Sequence, residues 1–91
     1  MPEQNDQTKL LVRLYTRPGC HLCEEAKAEI ARAGCAGLFL LEEVNIDCDG
    51  ELRMRFGWDI PVIEVGGAVV FKHRLTAEEF RREIERARGR V

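Results

Sequence analysis

Cys20-His21-Leu22-Cys23 places two thiols three residues apart, where an apolar segment gives way to a helix-forming one. Positions i and i+3 of a helix share a face, so the two sulfurs lie within disulfide reach of each other. The first sits at the positive end of the helix dipole, which favours thiolate over thiol. Thiolate is the form that attacks a disulfide, so the spacing points to thiol–disulfide exchange. The surrounding charges are mixed. Arg17 and a protonated His21 favour the thiolate, while Glu24 and Glu25 oppose it, so a moderate net activation is expected.

Something must hold those thiols at a mouth, and 91 residues suffice for one domain with a single core. Hydrophobic residues make up 45% and charged residues 33%, the balance of a globule rather than a disordered chain. A net charge of −2 gives no field toward nucleic acid or anionic membrane. The longest apolar run, Leu38 to Leu41, is far too short to span a bilayer. Residues 1–8 are polar without the apolar stretch of a secretory signal, and read as a disordered lead to one domain over residues 9–88. Four cysteines without such a signal suit a reducing, cytoplasmic setting, where thiols serve chemistry or packing.

Lys9 to Thr16 reads as a strand, broken by Arg17-Pro18-Gly19. A helix over Cys20 to Ala33 buries a stripe of Leu22, Cys23, Ala26, Ile30 and Ala33, with Gly34 just past its end. Leu38 to Ile46 is a second strand. Asp47 or Asp49 can cap a short helix over Glu51 to Phe56. Ile60 to Val65 is a third strand, joined by a Gly66-Gly67 hairpin turn to a fourth over Ala68 to Lys72. Thr76-x-x-Glu79 is a capping box that opens a last helix with Phe80, Ile84 and Ala87 on its apolar face. The order βαβαββα defines an α/β layer protein with helices on both faces of a mixed sheet. A right-handed crossover makes the first two strands parallel, so Cys20 falls on the sheet end where open α/β folds bind ligands.

Tyr15-Thr16-Arg17-Pro18-Gly19-Cys20-His21-Leu22-Cys23, followed about forty residues later by Ile60-Pro61-Val62, resembles the glutaredoxin-like branch of the thioredoxin-like superfamily over roughly residues 9 to 88. The resemblance implies a thioredoxin-like fold with a four-stranded sheet of order 2-1-3-4. It implies Cys20 as nucleophile, Cys23 as resolving thiol, and a cis Ile60-Pro61 bond facing the dithiol. His21 and Leu22 stand where glutaredoxins usually carry proline and tyrosine. Lys72-His73-Arg74-Leu75-Thr76 stands where they carry a Gly-Gly-Cys-Asp-like segment that holds glutathione. Arg17 matches the basic residue that meets a glutathione carboxylate in that family. The expectation is therefore no tightly bound cofactor, with glutathione as a candidate reductant.

On this reading Cys20 attacks a protein disulfide or a glutathione mixed disulfide, and Cys23 displaces the product. Substrate contacts are expected from Tyr15, Arg17, His21, Trp58, Asp59, Ile60 and Pro61, with Ile60 pairing to an extended substrate segment. A thiol reductant system would restore the dithiol, and the protein is expected to act as a monomer, with neither nucleic acid nor membrane as partner.

The same residues admit other readings. A Cys₄ zinc site fails on distance, because Cys35 lies about twelve residues beyond Cys23, roughly 18 Å along a helix. A cluster or zinc carrier, or a non-catalytic binding module of the same fold, is the alternative from another class. Cys48 follows the second strand on the dithiol's side of the sheet, so a third redox role stands beside a plain loop role. Asp47-x-Asp49-Gly50 suits capping better than calcium. The last helix pairs its charges at spacings such as Glu78 to Arg82, which fits a solvated face. Trp58 is open to either core or rim.

Overall fold

The computed structural model describes residues 9–89, so the N-terminal lead lies outside the described residues. Strand β1 spans Leu10–Thr16, helix α1 His21–Arg32, β2 Phe39–Asn45, α2 Gly50–Phe56, β3 Val62–Val65, β4 Ala68–Lys72 and α3 Ala77–Gly89. Short 3₁₀ turns at Ala36–Leu38 and Ile46–Cys48 flank β2. The sheet order is β2-β1-β3-β4, with β1 parallel to β2 and antiparallel to β3. Helices cover both faces, giving the thioredoxin-like βαβαββα architecture expected from the sequence.

Local chemistry explains the boundaries. Gly66 and Gly67 take φ of 60° and 89°, the left-handed values that a two-residue hairpin turn requires. Thr76 Oγ1 accepts from Glu79 N–H and Glu79 Oε1 accepts from Thr76 N–H, each at 3.1 Å, which completes the capping box. Asp49, not Asp47, caps α2, accepting from Glu51 N–H at 2.9 Å and Leu52 N–H at 3.2 Å. Strand β3 starts at Val62 rather than Ile60. Pro61 has no N–H to give to a ladder, and its carbonyl is taken by His73 N–H at 2.8 Å.

Alternation along β1 divides the core. Val12 and Leu14 point to the face covered by α1 and α3, where Ile30, Phe39, Ile63, Phe80 and Ile84 close a continuous apolar cluster. Phe80 is fully buried and meets Phe39 edge-to-face at 5.2 Å. The opposite face carries a smaller cluster of Tyr15, Ile46, Phe56 and Val62 beneath α2. Of the stripe expected on α1, Cys23, Ala26, Ile30 and Ala33 are buried, while Leu22 is half-buried.

Candidate active site

One end of the sheet gathers every segment that matters. The registers Thr16↔Asn45, Tyr15↔Val62 and Val62↔Lys72 bring together the loops after β1, β2 and β4 and the segment entering β3. Cys20 leaves β1 through Arg17-Pro18-Gly19. Gly19 has φ of 79° and Cys20 N–H donates to Arg17 C=O at 3.3 Å, the pattern of a type II turn with proline second and glycine third. That turn aims the chain into α1 with Cys20 as N-cap rather than as the first helical residue.

The two cysteines differ as exchange chemistry needs. They form a disulfide with Cα atoms 5.2 Å apart. Cys23 is fully buried, whereas Cys20 is partly exposed. Cys23 N–H donates to the Cys20 sulfur at 3.2 Å. An N-terminal amide aimed at sulfur favours the anion, since charge-assisted hydrogen bonds are the stronger kind.

The other expected site residues divide into rim and core. His21 is exposed and pairs with Glu25 at 3.0 Å. Trp58 is 94% exposed, which settles its place on the surface rather than in the core. Asp59 is half-buried, with its carboxylate 3.4 Å from Lys72 Nζ and 3.9 Å from His73 Nε2. Ile60 is half-buried against the cluster beneath α2. The Ile60–Pro61 peptide is cis, and Pro61 is fully buried. Tyr15, one of the expected substrate contacts, lies in the core rather than on the rim. It shares the α2-covered face with Val62, stacks on Phe56 at 4.6 Å and is only 6% exposed. Burial, reinforced by the neighbouring Glu64 and opposed by Arg13, pushes the Tyr15 hydroxyl pKa up.

Arg17 also differs from the picture of a free cation beside the thiolate. Its Nε and Nη2 both reach Asp47 Oδ1, at 3.2 and 3.1 Å. Asp47, which the sequence offers as a helix cap or, less well, a calcium ligand, is therefore the residue beside the site that sequence reasoning missed. Thirty positions separate the pair, and only the parallel β1–β2 pairing brings them together.

Cys35 is buried in the main core and Cys48 is exposed in the turn after β2. Among the described residues no group of three or more His, Cys, Asp or Glu side chains is placed to hold a metal ion, and no helix is long and apolar enough to cross a membrane.

A Cys-x-x-Cys pair capping the first helix at the C-terminal end of a central β1 defines a thioredoxin-like protein with a dithiol site. Comparison with known proteins narrows that class. The profile of the Glutaredoxin-like domain (DUF836) matches residues 11–85, and the chain belongs to that family. A Dictyostelium discoideum protein, the Glutaredoxin-like protein YDR286C homolog, is 31% identical over 87 residues, covering 89% of this chain and 81% of its own. Among solved structures, protein XcR50 from X. campestris superposes with a TM-score of 0.72 at 28% identity, over 82% of this chain and 96% of that one. Chloroplastic thioredoxin z reaches a TM-score of 0.72 at 11% identity, over 96% and 85% of the two chains, a likeness of fold alone.

Proposed function

We propose that this protein is a thiol–disulfide oxidoreductase acting on protein disulfides or small mixed disulfides. The observation that carries the reading is the asymmetry of the pair: Cys20 is partly exposed and its sulfur accepts the Cys23 N–H, while Cys23 is buried within disulfide reach. The Cys20 thiolate attacks one sulfur of the substrate disulfide, forming a mixed disulfide and expelling the other sulfur as a thiolate. Cys23 loses its proton and attacks the Cys20 sulfur. The Cys20–Cys23 bond forms, the mixed disulfide breaks, and the second substrate thiolate leaves. Two electrons have passed to substrate, and an external thiol system such as glutathione returns them.

Substrate lies against a rim made by Trp58, Asp59 and Ile60, with His21 and Arg17 on the approach to Cys20 and Pro61 backing the wall. The protein works as a cytoplasmic monomer without a tightly bound cofactor, and neither nucleic acid nor membrane takes part. Turnover of a small neutral disulfide and of insulin under dithiothreitol tests the reading. Wild type accelerates both over the rate with dithiothreitol alone and Cys20→Ser accelerates neither; equal rates for the two proteins would contradict it.

A further inference from the structure

A groove of about 250 Å³ runs from the Arg17–Pro18 turn between α1 and β2. Both of its cations are already engaged. Arg17 is held by Asp47, and Lys27 is shared between Glu24 at 3.0 Å and Glu43 at 3.5 Å. Two positive charges thus face three carboxylates on the β2 side of the nucleophile. Arg17 is the only Lys or Arg within three residues of Cys20 in sequence, and its pairing with Asp47 sets how far its charge is available on the β2 side of the reacting sulfur. Asp47 is itself held in place. Asn45 Oδ1 accepts its N–H and its carbonyl accepts from Arg53 Nη1, both at 2.9 Å.

We propose that Asp47, acting through Arg17, is a specificity-determining residue that biases Cys20 against carboxylate-bearing thiols and disulfides and toward neutral or basic ones. The inference rests on Cys20 being the attacking thiol, as proposed above. The class disfavoured includes glutathione, whose carboxylates outnumber its ammonium. The class favoured is a disulfide flanked by uncharged or basic groups, such as a protein cystine beside lysine or arginine. Because the Arg17–Asp47 pair is partly exposed, the bias is several-fold and screened by salt, not an exclusion.

The test uses reduced full-length chain carrying Cys23→Ser and Cys48→Ser, which leaves Cys20 and the buried Cys35. Neutral iodoacetamide and anionic iodoacetate each alkylate Cys20, the thiolate displacing iodide to form a thioether, with the modified residue located by mass spectrometry. The ratio of the two rates cancels any change in thiolate fraction. Asp47→Asn is expected to raise the iodoacetate-to-iodoacetamide ratio about two- to five-fold at low salt. In an Arg17→Gln background the same substitution is expected to raise it distinctly less. An unchanged ratio overturns the proposal. An equal rise in both backgrounds also overturns it, since that is loss of a distant charge rather than release of Arg17. Failure of the parent reading shows separately, as Cys20 alkylating no faster with iodoacetamide than the same thiol in urea, whatever the ratio.

Discussion

The backbone N–H of Cys23 points at the sulfur of Cys20 from 3.2 Å. An oxygen of serine, threonine, aspartate or asparagine usually holds that position at a helix start. A sulfur there ties the stability of α1 to the chemistry of the site. Relative to reduced wild type, Cys20→Ala should lower the unfolding free energy by about 0.5–1 kcal/mol through loss of the cap. Cys20→Ser keeps a capping atom and should stay within about 0.5 kcal/mol. Urea denaturation of the reduced proteins measures both. Loss of activity in Cys20→Ser then reports chemistry and not unfolding.

Trp58 and Phe80 are the two extremes of aromatic placement in this fold. Phe80 is fully buried against Phe39, and Phe80→Ala should cost about 3–5 kcal/mol, a large share of a typical domain's stability. Trp58 is 94% exposed beside the segment that enters β3, and Trp58→Ala should change stability by less than about 0.5 kcal/mol. Its effect belongs to substrate. The expected signature is a raised KM for a protein disulfide with an unchanged KM for a small one.

Glu29 joins α1 to α3. Its Oε1 accepts the N–H of Ala77 at 2.8 Å and its carboxylate also pairs with Arg32. The Arg32 hydrogen bond first, and the Ala77 N–H second, hold the Glu29 carboxyl below the usual range against a smaller opposing effect of burial. A lowered folded value means that this stabilisation is complete above the unfolded value of about 4.3 and is lost as pH falls through the folded one. Glu29→Gln should flatten the acid limb of a stability-versus-pH curve below about pH 5. A limb as steep as that of wild type would remove Glu29 from the account.

Cys35 and Cys48 should separate cleanly on labelling. Burial pushes the Cys35 thiol up, Glu85 adds to this and Arg81 opposes it, whereas Cys48 is exposed. N-ethylmaleimide should modify Cys48 in the native protein and reach Cys35 only on unfolding. A raised folded value also means that the stabilisation from keeping Cys35 neutral is complete below the unfolded value of about 8.5 and drains away as pH rises through the folded one. The alkaline limb of the stability curve should therefore be shallower in Cys35→Ala, read by thermal melts across that range.

Much of this was legible in the chain before any coordinates. The dithiol, the Gly66-Gly67 turn and the Thr76–Glu79 capping box are local signals whose chemistry lies within a few residues, and each fell where its spacing put it. Lys9 to Thr16 reads as a strand, but a strand signal does not say what covers each of its faces. Tyr15 is therefore expected among the substrate contacts, although the short helix α2 lies over it. Asp47 was read as a cap because capping is a local role, while its partner Arg17 is brought to it by strand pairing across thirty residues. Glu64 was not singled out at all. It lies buried in β3 opposite Arg13, with the guanidinium 3.9 Å from its carboxylate.

Covalent trapping tests the division of labour between the two thiols most directly. Reduced Cys23→Ser and reduced Cys20→Ser are each mixed with a disulfide-bonded protein, quenched with acid and read by intact and peptide mass spectrometry. The account predicts a mixed disulfide through Cys20 in Cys23→Ser and none through Cys23 in Cys20→Ser. Capture through Cys23, or no capture by either variant, would contradict it.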